Sequence, residues 1–221
     1  MSGVWAVLVA AGRGERLGGD RPKAFAGLAG RPLLAESLER LDRSEWIEAI
    51  VVVAAEGWEE PVILLAEELG AGKVRAAVTG GATRADSVRA GVAEVPEEAA
   101  VVLVHDAARP LLADDVIERV VAALGGGWDG AVPGLPLADT VKRVSGAEIV
   151  ETLERGELVA VQTPQAFPAD SLRRAVAGGG EASDCAALVQ AAGGRVRWVE
   201  GDKRLLKVTT QADLELVSLW L

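Results

Sequence analysis

Continuous apolar runs that alternate with helical periods are the feature of this sequence that most constrains its fold. The runs are Val4–Val9, Ile47–Ala54, Val74–Val78, Val101–Val104 and Gly130–Val132. The helical patterns are Leu33–Leu41, Glu59–Leu69, Thr83–Val95 and Asp114–Leu124, with Thr83 and Asp114 as predicted N-caps. Strands that are apolar throughout are typical of a parallel sheet covered on both faces. The pattern therefore predicts an α/β fold with a mostly parallel sheet and helices on both faces.

The length of 221 residues predicts a single domain, 1–221. Within it, residues 134–160 break the alternation, because apolar residues there are spaced among charges around a Ser145–Gly146 turn. This pattern favours a protruding hairpin-like arm. A two-stranded hairpin is only marginally stable by itself, so we expect the arm to pack on something, such as a second subunit. Beyond Pro168 we expect two helices, a strand at Arg195–Val199 and a last helix that a capping box at Thr210 begins.

Composition excludes several classes of protein. The formal net charge is −10 and basic residues concentrate only in the first loop, which argues against a nucleic-acid partner. No apolar run approaches the roughly 18 residues of a membrane span, and no signal peptide precedes the first strand. The single Cys185 leaves no internal disulfide and favours a reducing cytoplasm. With one His and one Cys, a zinc site of ordinary spacing cannot be built.

The stretch VAAGRGERLGGDRPK, residues 9–23, follows the first strand and combines glycines with cations. Glycines let the backbone turn sharply and approach a ligand, and exposed N–H groups beside Arg and Lys suit phosphates. The P-loop pattern does not fit, because Asp20 follows the last glycine where Lys-Ser or Lys-Thr is required. The dinucleotide fingerprint does not fit either, because it needs glycine in place of Leu17. A site for a small polyanion remains, against the alternative of a glycine-rich surface loop.

Two further clusters follow predicted strands. GGATRADSV, residues 80–88, offers close backbone approach, a hydroxyl and a charge, although helix capping explains much of it. HDAARP, residues 105–110, places Asp106 where it could hold Mg²⁺ and Arg109 where it could bind a phosphate. His105 is better interpreted as a hydrogen-bonded structural group than as a general base. Because ligands bind beyond the carboxyl ends of parallel strands, we expect these clusters and the first loop to share one edge of the sheet.

Polar residues elsewhere admit two readings from sequence alone. Thr140 and Arg155 lie in the arm, where the residues by themselves favour a solvated, charged hairpin over a ligand contact. Ser183 and Asp184 stand at a helix start, which favours a cap before a ligand contact. Lys207, in LLKVTT, is either a ligand-binding lysine or a surface lysine that lays its stem along apolar neighbours.

In their order along the chain, these motifs resemble the 2-C-methyl-D-erythritol 4-phosphate cytidylyltransferase family. The resemblance runs nearly the full length and is carried by AAGRGERLGGDRPK, GGATRADSV, VLVHDAARP, DTVKR, TPQAF and VEGDKRLLKVT. AAGxGxR followed by PK is shared with many sugar-nucleotide transferases, whereas HDAARP and GGxxRxxSV are more specific. The resemblance implies a Rossmann-like nucleotidyltransferase fold, CTP as co-substrate, Mg²⁺, a phosphorylated polyol as acceptor, and a homodimer interlocked through the arm.

The resemblance also implies roles for individual residues. The implied catalytic set is Arg16, Lys23, Asp106 and Lys207. The implied CTP-binding set is Ala10, Ala11, Gly12, Gly14, Arg16, Lys23, Gly80, Ser87 and Asp106, and Asp106 is also the implied Mg²⁺ ligand. The implied acceptor-binding set is Arg109, Thr140, Arg155, Ser183 and Lys207. Within that last set, Thr140 and Arg155 would come from the partner subunit.

Two residues depart from the pattern of the family, both in the acceptor half. Cys185 stands where Glu is common, and Leu205 replaces an Asn that usually precedes the Ile-Lys pair. Ribitol-5-phosphate cytidylyltransferase is therefore the alternative within the same class, since both acceptors are phosphorylated polyols. An oxidoreductase that binds a dinucleotide is the alternative from another class, although Leu17 argues against it.

Overall fold

A computed structural model of the chain describes residues 3–12, 14, 21–180 and 182–221. The strands are β1 (Val4–Val9), β2 (Gly27–Leu28), β3 (Arg31–Pro32), β4 (Ile47–Ala54), β5 (Val74–Thr79), β6 (Val101–Asp106), β7 (Gly130–Pro136), β8 (Lys142–Ser145), β9 (Glu148–Thr152), β10 (Val159–Val161), β11 (Gln165–Pro168) and β12 (Val196–Glu200). The α-helices are α1 (Leu33–Arg43), α2 (Glu59–Leu69), α3 (Arg84–Ala93), α4 (Asp114–Ala122), α5 (Ala169–Ala177), α6 (Cys185–Ala191) and α7 (Gln211–Ser218). Within these described ranges, no helix is long and apolar enough to span a membrane.

The central sheet is mostly parallel, as the sequence predicts. Its order is β10-β7-β11-β6-β1-β4-β5, and β12 also pairs with β7. Strands β6, β1, β4 and β5 are parallel neighbours, and β12 is parallel to β7. Strands β10 and β11 run antiparallel to their neighbours. The order reverses at β1, since β4 lies on one side of it and β6 on the other, and such a switch point is where open α/β sheets bind ligands.

Both faces of the sheet are buried at its central strands β1, β4 and β6, which explains the apolar runs in these strands. Leu8 and Val52 pack with side chains of α1, α2 and α4, whereas Val7 and Val53 pack with those of α3, α5 and α6. All four side chains are fully buried. Successive side chains of a strand point to opposite faces, so neighbouring positions of one strand hold helices on both sides of the sheet. Full burial of each such side chain contributes about 1.5–3 kcal/mol.

The helix starts confirm three of the four predicted caps. Asp184, from the predicted Ser183–Asp184 cap, is the N-cap of α6 and accepts a hydrogen bond from the N–H of Ala187. Thr83 accepts a hydrogen bond from the N–H of Asp86, whose side chain accepts from Thr83 in return, and Thr210 forms the same capping box with Asp213. The prediction of Asp114 as an N-cap is wrong, because the N-cap of α4 is Ala113 and Asp114 is the first helical residue. A carboxylate in the first turn still interacts favourably with the N-terminal end of the helix dipole.

The arm is a hairpin, as the sequence predicts, but it is shorter than the range 134–160. Strands β8 and β9 form a two-stranded sheet with each other and are exposed along their length. At its two ends, residues 134–136 and 159–160 pair in the central sheet. Among the apolar side chains of the hairpin, Val144 is 60% exposed and Ile149 is 62% exposed.

Candidate active site

A cavity of about 650 Å³ lies at the carboxyl ends of β1, β5 and β6. The first loop, the start of α3 and the segment after β6 meet there, as the sequence predicts, and the segment that carries Lys207 closes it. Its lining residues are Val9, Ala10, Ala11, Gly12, Gly14, Lys23, Ala24, Gly81, Ala82, Thr83, Arg84, Ser87, Asp106, Ala107, Ala108, Lys207 and Thr209. Seven of the predicted catalytic or CTP-binding residues are therefore brought to one place, and an eighth, Lys207, joins them.

The first loop presents Lys23 to the cavity by a close backbone contact. Gly14 has φ of +73°, and a Cβ there would lie 2.7 Å from the Cβ of Lys23. The N–H of Lys23 donates to the carbonyl of Gly12 over 3.1 Å. Gly14 is required both for the left-handed backbone and for the approach of Lys23. Arg16, which the resemblance places with the CTP phosphates, lies outside the described residues.

The turn between β5 and α3 is packed against the first loop. A Cβ at Gly80 would lie 2.4 Å from the Cβ of Ala11, so only glycine allows these two segments to touch. Gly80 itself does not line the cavity, whereas its neighbour Gly81 does. Ser87 Oγ accepts from the N–H of Gly81 and donates to the carbonyl of Thr83, which fixes the shape of the turn.

Three charged side chains form the polar centre of the cavity, and we name them the charged trio: Arg84, Asp106 and Lys207. Arg84 donates to Asp106 Oδ1 from Nε over 3.2 Å and from Nη2 over 2.9 Å. Lys207 Nζ donates to Asp106 Oδ2 over 2.6 Å. Asp106 is 6% exposed. Burial by itself would raise the pKa of Asp106, but Arg84 and Lys207 outweigh it and hold that pKa well below its usual range.

His105 is fully buried next to Asp106 in the chain and is not among the residues that line the cavity. Its Nε2 lies 3.1 Å from the carbonyl oxygen of Arg109, and since a carbonyl only accepts, Nε2 carries the proton. Its Nδ1 accepts from Thr163 Oγ1 over 3.1 Å, and that hydroxyl accepts from the N–H of Asp106. Burial lowers the pKa of His105 to about 4, so the ring is neutral at pH 7. The structural interpretation of His105 agrees with these contacts.

Arg109 turns away from the cavity. Its Nη1 donates to the carbonyl of Leu205 over 2.5 Å, and its Nε is buried with no hydrogen-bond partner in the described part of the chain. Burial lowers the pKa of its guanidinium. The N–H of Val208 donates to the carbonyl of Ala108, which joins the segment after Lys207 to the segment after Asp106. A contact of Arg109 with the acceptor stays a prediction.

The other predicted acceptor residues are not brought to this cavity within one chain. Thr140 and Arg155 are exposed beside the hairpin, where Arg155 donates to the carbonyl of Ala138. Ser183 lines a second hollow of about 360 Å³ with Ala85, Ala182 and Thr83, and Thr83 also lines the main cavity. Their roles toward an acceptor stay predictions.

The sequence analysis noted the charge of Arg84 and the departure at Cys185, but it assigned no site role to Arg84, Thr163 or Cys185. Arg84 is the first residue of α3 and lies at the same edge of the sheet as Asp106, so a cation after a capping threonine was the available signal. Thr163 lies in TPQAF, a motif that contributed only to the resemblance. Its contacts depend on β11 lying beside β6, which no local pattern indicates.

The described residues do not fit a metal site held by the protein alone. Both oxygens of Asp106 already accept from cations, and no group of three or more His, Cys, Asp and Glu suited to a metal occurs among residues 3–12, 14, 21–180 and 182–221. Mg²⁺ usually takes one or two carboxylates together with substrate phosphates. Asp106 as a Mg²⁺ ligand therefore stays a prediction, and no step below passes through a metal.

Comparisons with known proteins agree on one family. The family model described as 2-C-methyl-D-erythritol 4-phosphate cytidylyltransferase (IspD) matches residues 4–221. A relative of that name from Nocardia farcinica is 44% identical over 216 residues, which cover 97% of this chain and 92% of the relative. One from Rubrobacter xylanophilus is 41% identical and covers 99% of this chain and 94% of the relative. The crystal structure of the Thermus thermophilus protein of that name is 36% identical, with a TM-score of 0.77 and 97% coverage of both chains.

Proposed function

The chain belongs to the 2-C-methyl-D-erythritol 4-phosphate cytidylyltransferase family, and we propose that its cavity carries out the corresponding reaction. A cytidylyl group passes from CTP to 2-C-methyl-D-erythritol 4-phosphate, which gives 4-diphosphocytidyl-2-C-methyl-D-erythritol and pyrophosphate for isoprenoid biosynthesis. The observation that carries the proposal is the meeting of Lys23, Asp106 and Lys207 in one cavity at the switch point of the sheet.

The reaction needs little acid–base chemistry. A phosphate oxygen of the acceptor forms a bond to the α-phosphorus of CTP, and the bond from that phosphorus to the bridging oxygen of pyrophosphate breaks. The second pKa of a phosphate monoester is about 6, so the nucleophile is already an anion at pH 7. This requirement agrees with the site, because His105 is fully buried and both of its ring nitrogens already take part in hydrogen bonds.

The chain's task is to align two polyanions and to neutralise charge on the leaving pyrophosphate. Lys23 and Lys207 approach the cavity from different segments and supply positive charge there before the substrates arrive. Charges that are already in place cost no reorganisation during the reaction, which is why such groups contribute strongly to rate. Arg16 is proposed for the same task from the family motif alone.

The acceptor half of the site is proposed to be completed by a second subunit. Thr140 and Arg155 stand outside the cavity of their own chain, and the adjoining hairpin exposes Val144, Ile149 and Val150. A homodimer formed through the arm would cover these apolar side chains and bring the two polar ones toward a neighbouring cavity. Arg109, Ser183 and Lys207 are the proposed acceptor residues that the same chain supplies.

The proposal is tested by pyrophosphate release from CTP in the presence of Mg²⁺. Parallel reactions contain 2-C-methyl-D-erythritol 4-phosphate, D-ribitol 5-phosphate or no acceptor. We expect release with the first acceptor only. Release with ribitol phosphate only would keep the mechanism and assign the chain to the alternative acceptor, whereas no release with either would overturn the proposed activity.

A further inference from the structure

Asp106 lies between two cations that hold it in different ways. Arg84 directs two N–H groups at one oxygen, Oδ1, and its side chain is 22% exposed. Lys207 makes one contact, with Oδ2, and its side chain is 41% exposed. Two donors on a single oxygen fix the plane of the carboxylate, and the other oxygen then faces Lys207. The orientation of Asp106 is therefore set mainly by Arg84.

The charges of the charged trio also determine how much positive charge Lys207 presents to a phosphate. Arg84 and Asp106 cancel each other, so the positive charge of Lys207 remains as the net charge of the trio. Without Arg84, Lys207 and Asp106 would form a neutral pair, and the lysine would be held by an uncompensated carboxylate. A cation that is neutralised in this way attracts a phosphate less strongly.

Arg84 is in turn held on its far side by Cys185. Its Nη1 lies 3.6 Å from the sulfur of Cys185, which is fully buried at the first position of α6. Gln165 Oε1 accepts from the N–H groups of Cys185 and Ala186, which fixes this helix start. Burial raises the pKa of the thiol to about 11. The sulfur is therefore neutral at pH 7 and does not compete with Asp106 for the charge of Arg84.

We propose that Arg84 is a positioning residue that sets the position of Lys207 through Asp106. This inference rests on the proposed function, in which Lys207 acts on phosphates. It makes a definite prediction: Arg84 contributes to turnover only while Lys207 is present, and it makes no contact of its own with the nucleotide.

A double-mutant cycle of Arg84→Met, Lys207→Met and the double variant tests whether Arg84 acts through Lys207. We expect Arg84→Met alone to lower kcat roughly 10²-fold, because a displacement of about 1 Å in an active site can cost that much. In the Lys207→Met background the same change should lower kcat by less than about threefold, because coupled residues are not additive. CTP binding, measured by calorimetry without acceptor, should be the same for Lys207→Met and the double variant.

Three results would overturn the inference. Additive losses of kcat, or weaker CTP binding by the double variant than by Lys207→Met, would mean that Arg84 contacts the nucleotide directly. A crystal structure of Arg84→Met in which the Asp106 carboxylate and Lys207 Nζ keep their wild-type positions in the cavity would exclude the positioning role. The crystal structure does not depend on turnover, so it tests this inference separately from the proposed function. A failure of the proposed function would show as wild-type protein that releases no pyrophosphate.

Discussion

Replacing Asp106 with asparagine should destabilise the protein through the two cations that it leaves behind. The side chain keeps its shape but loses its charge, so Arg84 and Lys207 would face each other without an anion between them. Removal of one partner from a buried ion pair costs about 3–5 kcal/mol. We expect about 3 kcal/mol, the lower end, because the Lys207 side chain is 41% exposed and water screens part of its charge.

The same carboxylate should make stability depend on pH. Burial alone would raise the pKa of Asp106, but Arg84 and Lys207 outweigh it and hold the folded-state pKa below the unfolded value of about 3.9. A carboxyl of this kind contributes stability that is fully present above its unfolded pKa and is lost as pH falls through its folded pKa. The difference in stability between wild type and Asp106→Asn should therefore be constant from neutral pH down to about pH 5 and narrow below about pH 4.

Urea and thermal unfolding at pH 7 and at acid pH measure this effect. For a chain of this size, about 3 kcal/mol corresponds to a fall in Tm of roughly 6–12 °C. Asp115→Asn is the matched control, because Asp115 pairs with Arg119 over 2.7 Å on an exposed helix surface. Such a pair contributes about 0.5 kcal/mol or less. A loss for Asp106→Asn no larger than that of the control, or a difference that does not narrow in acid, would refute the reasoning.

The remaining predictions concern the proposed activity. Lys23→Ala should lower kcat on the order of 10²-fold, the effect of deleting one preorganised donor, and near-normal pyrophosphate release would remove this lysine from the mechanism. Gly14→Ala should lower both Tm and kcat/KM, because its Cβ would displace Lys23, whereas Gly57→Ala, with φ of +77° and nothing within 4 Å, should lower only Tm; equal kinetics in the two variants would exclude the steric argument. Arg155→Ala should raise the KM for methylerythritol phosphate and spare CTP binding. Dimers that combine the Arg155→Ala subunit with a subunit inactivated at Lys23 should be more active than either variant alone. If the mixed dimers show no such gain in activity, the two subunits do not share a site.

The sequence by itself determined the layered fold and the place of the site. Apolar runs without alternation require burial on both faces, and β4, for example, begins and ends where its run predicts. Turn and cap chemistry is also local, so Thr83 and Thr210 could be recognised from residues three positions away. The Asp114 prediction failed because Asp at a cap and Asp in a first turn have the same sequence pattern, and only the backbone angles of Ala113 separate them.

Only the tertiary structure decided which charges meet. Asp106 pairs with a residue 22 positions before it and another 101 positions after it, and Arg84 reaches the sulfur of a residue 101 positions away. Likewise, His105 meets Thr163 only because β11 runs antiparallel beside β6. Strand order depends on how helices pack across the sheet, which no local period encodes. A lone acid, a helix-starting arginine and a buried cysteine thus become one arrangement when the sheet brings their backbone segments together.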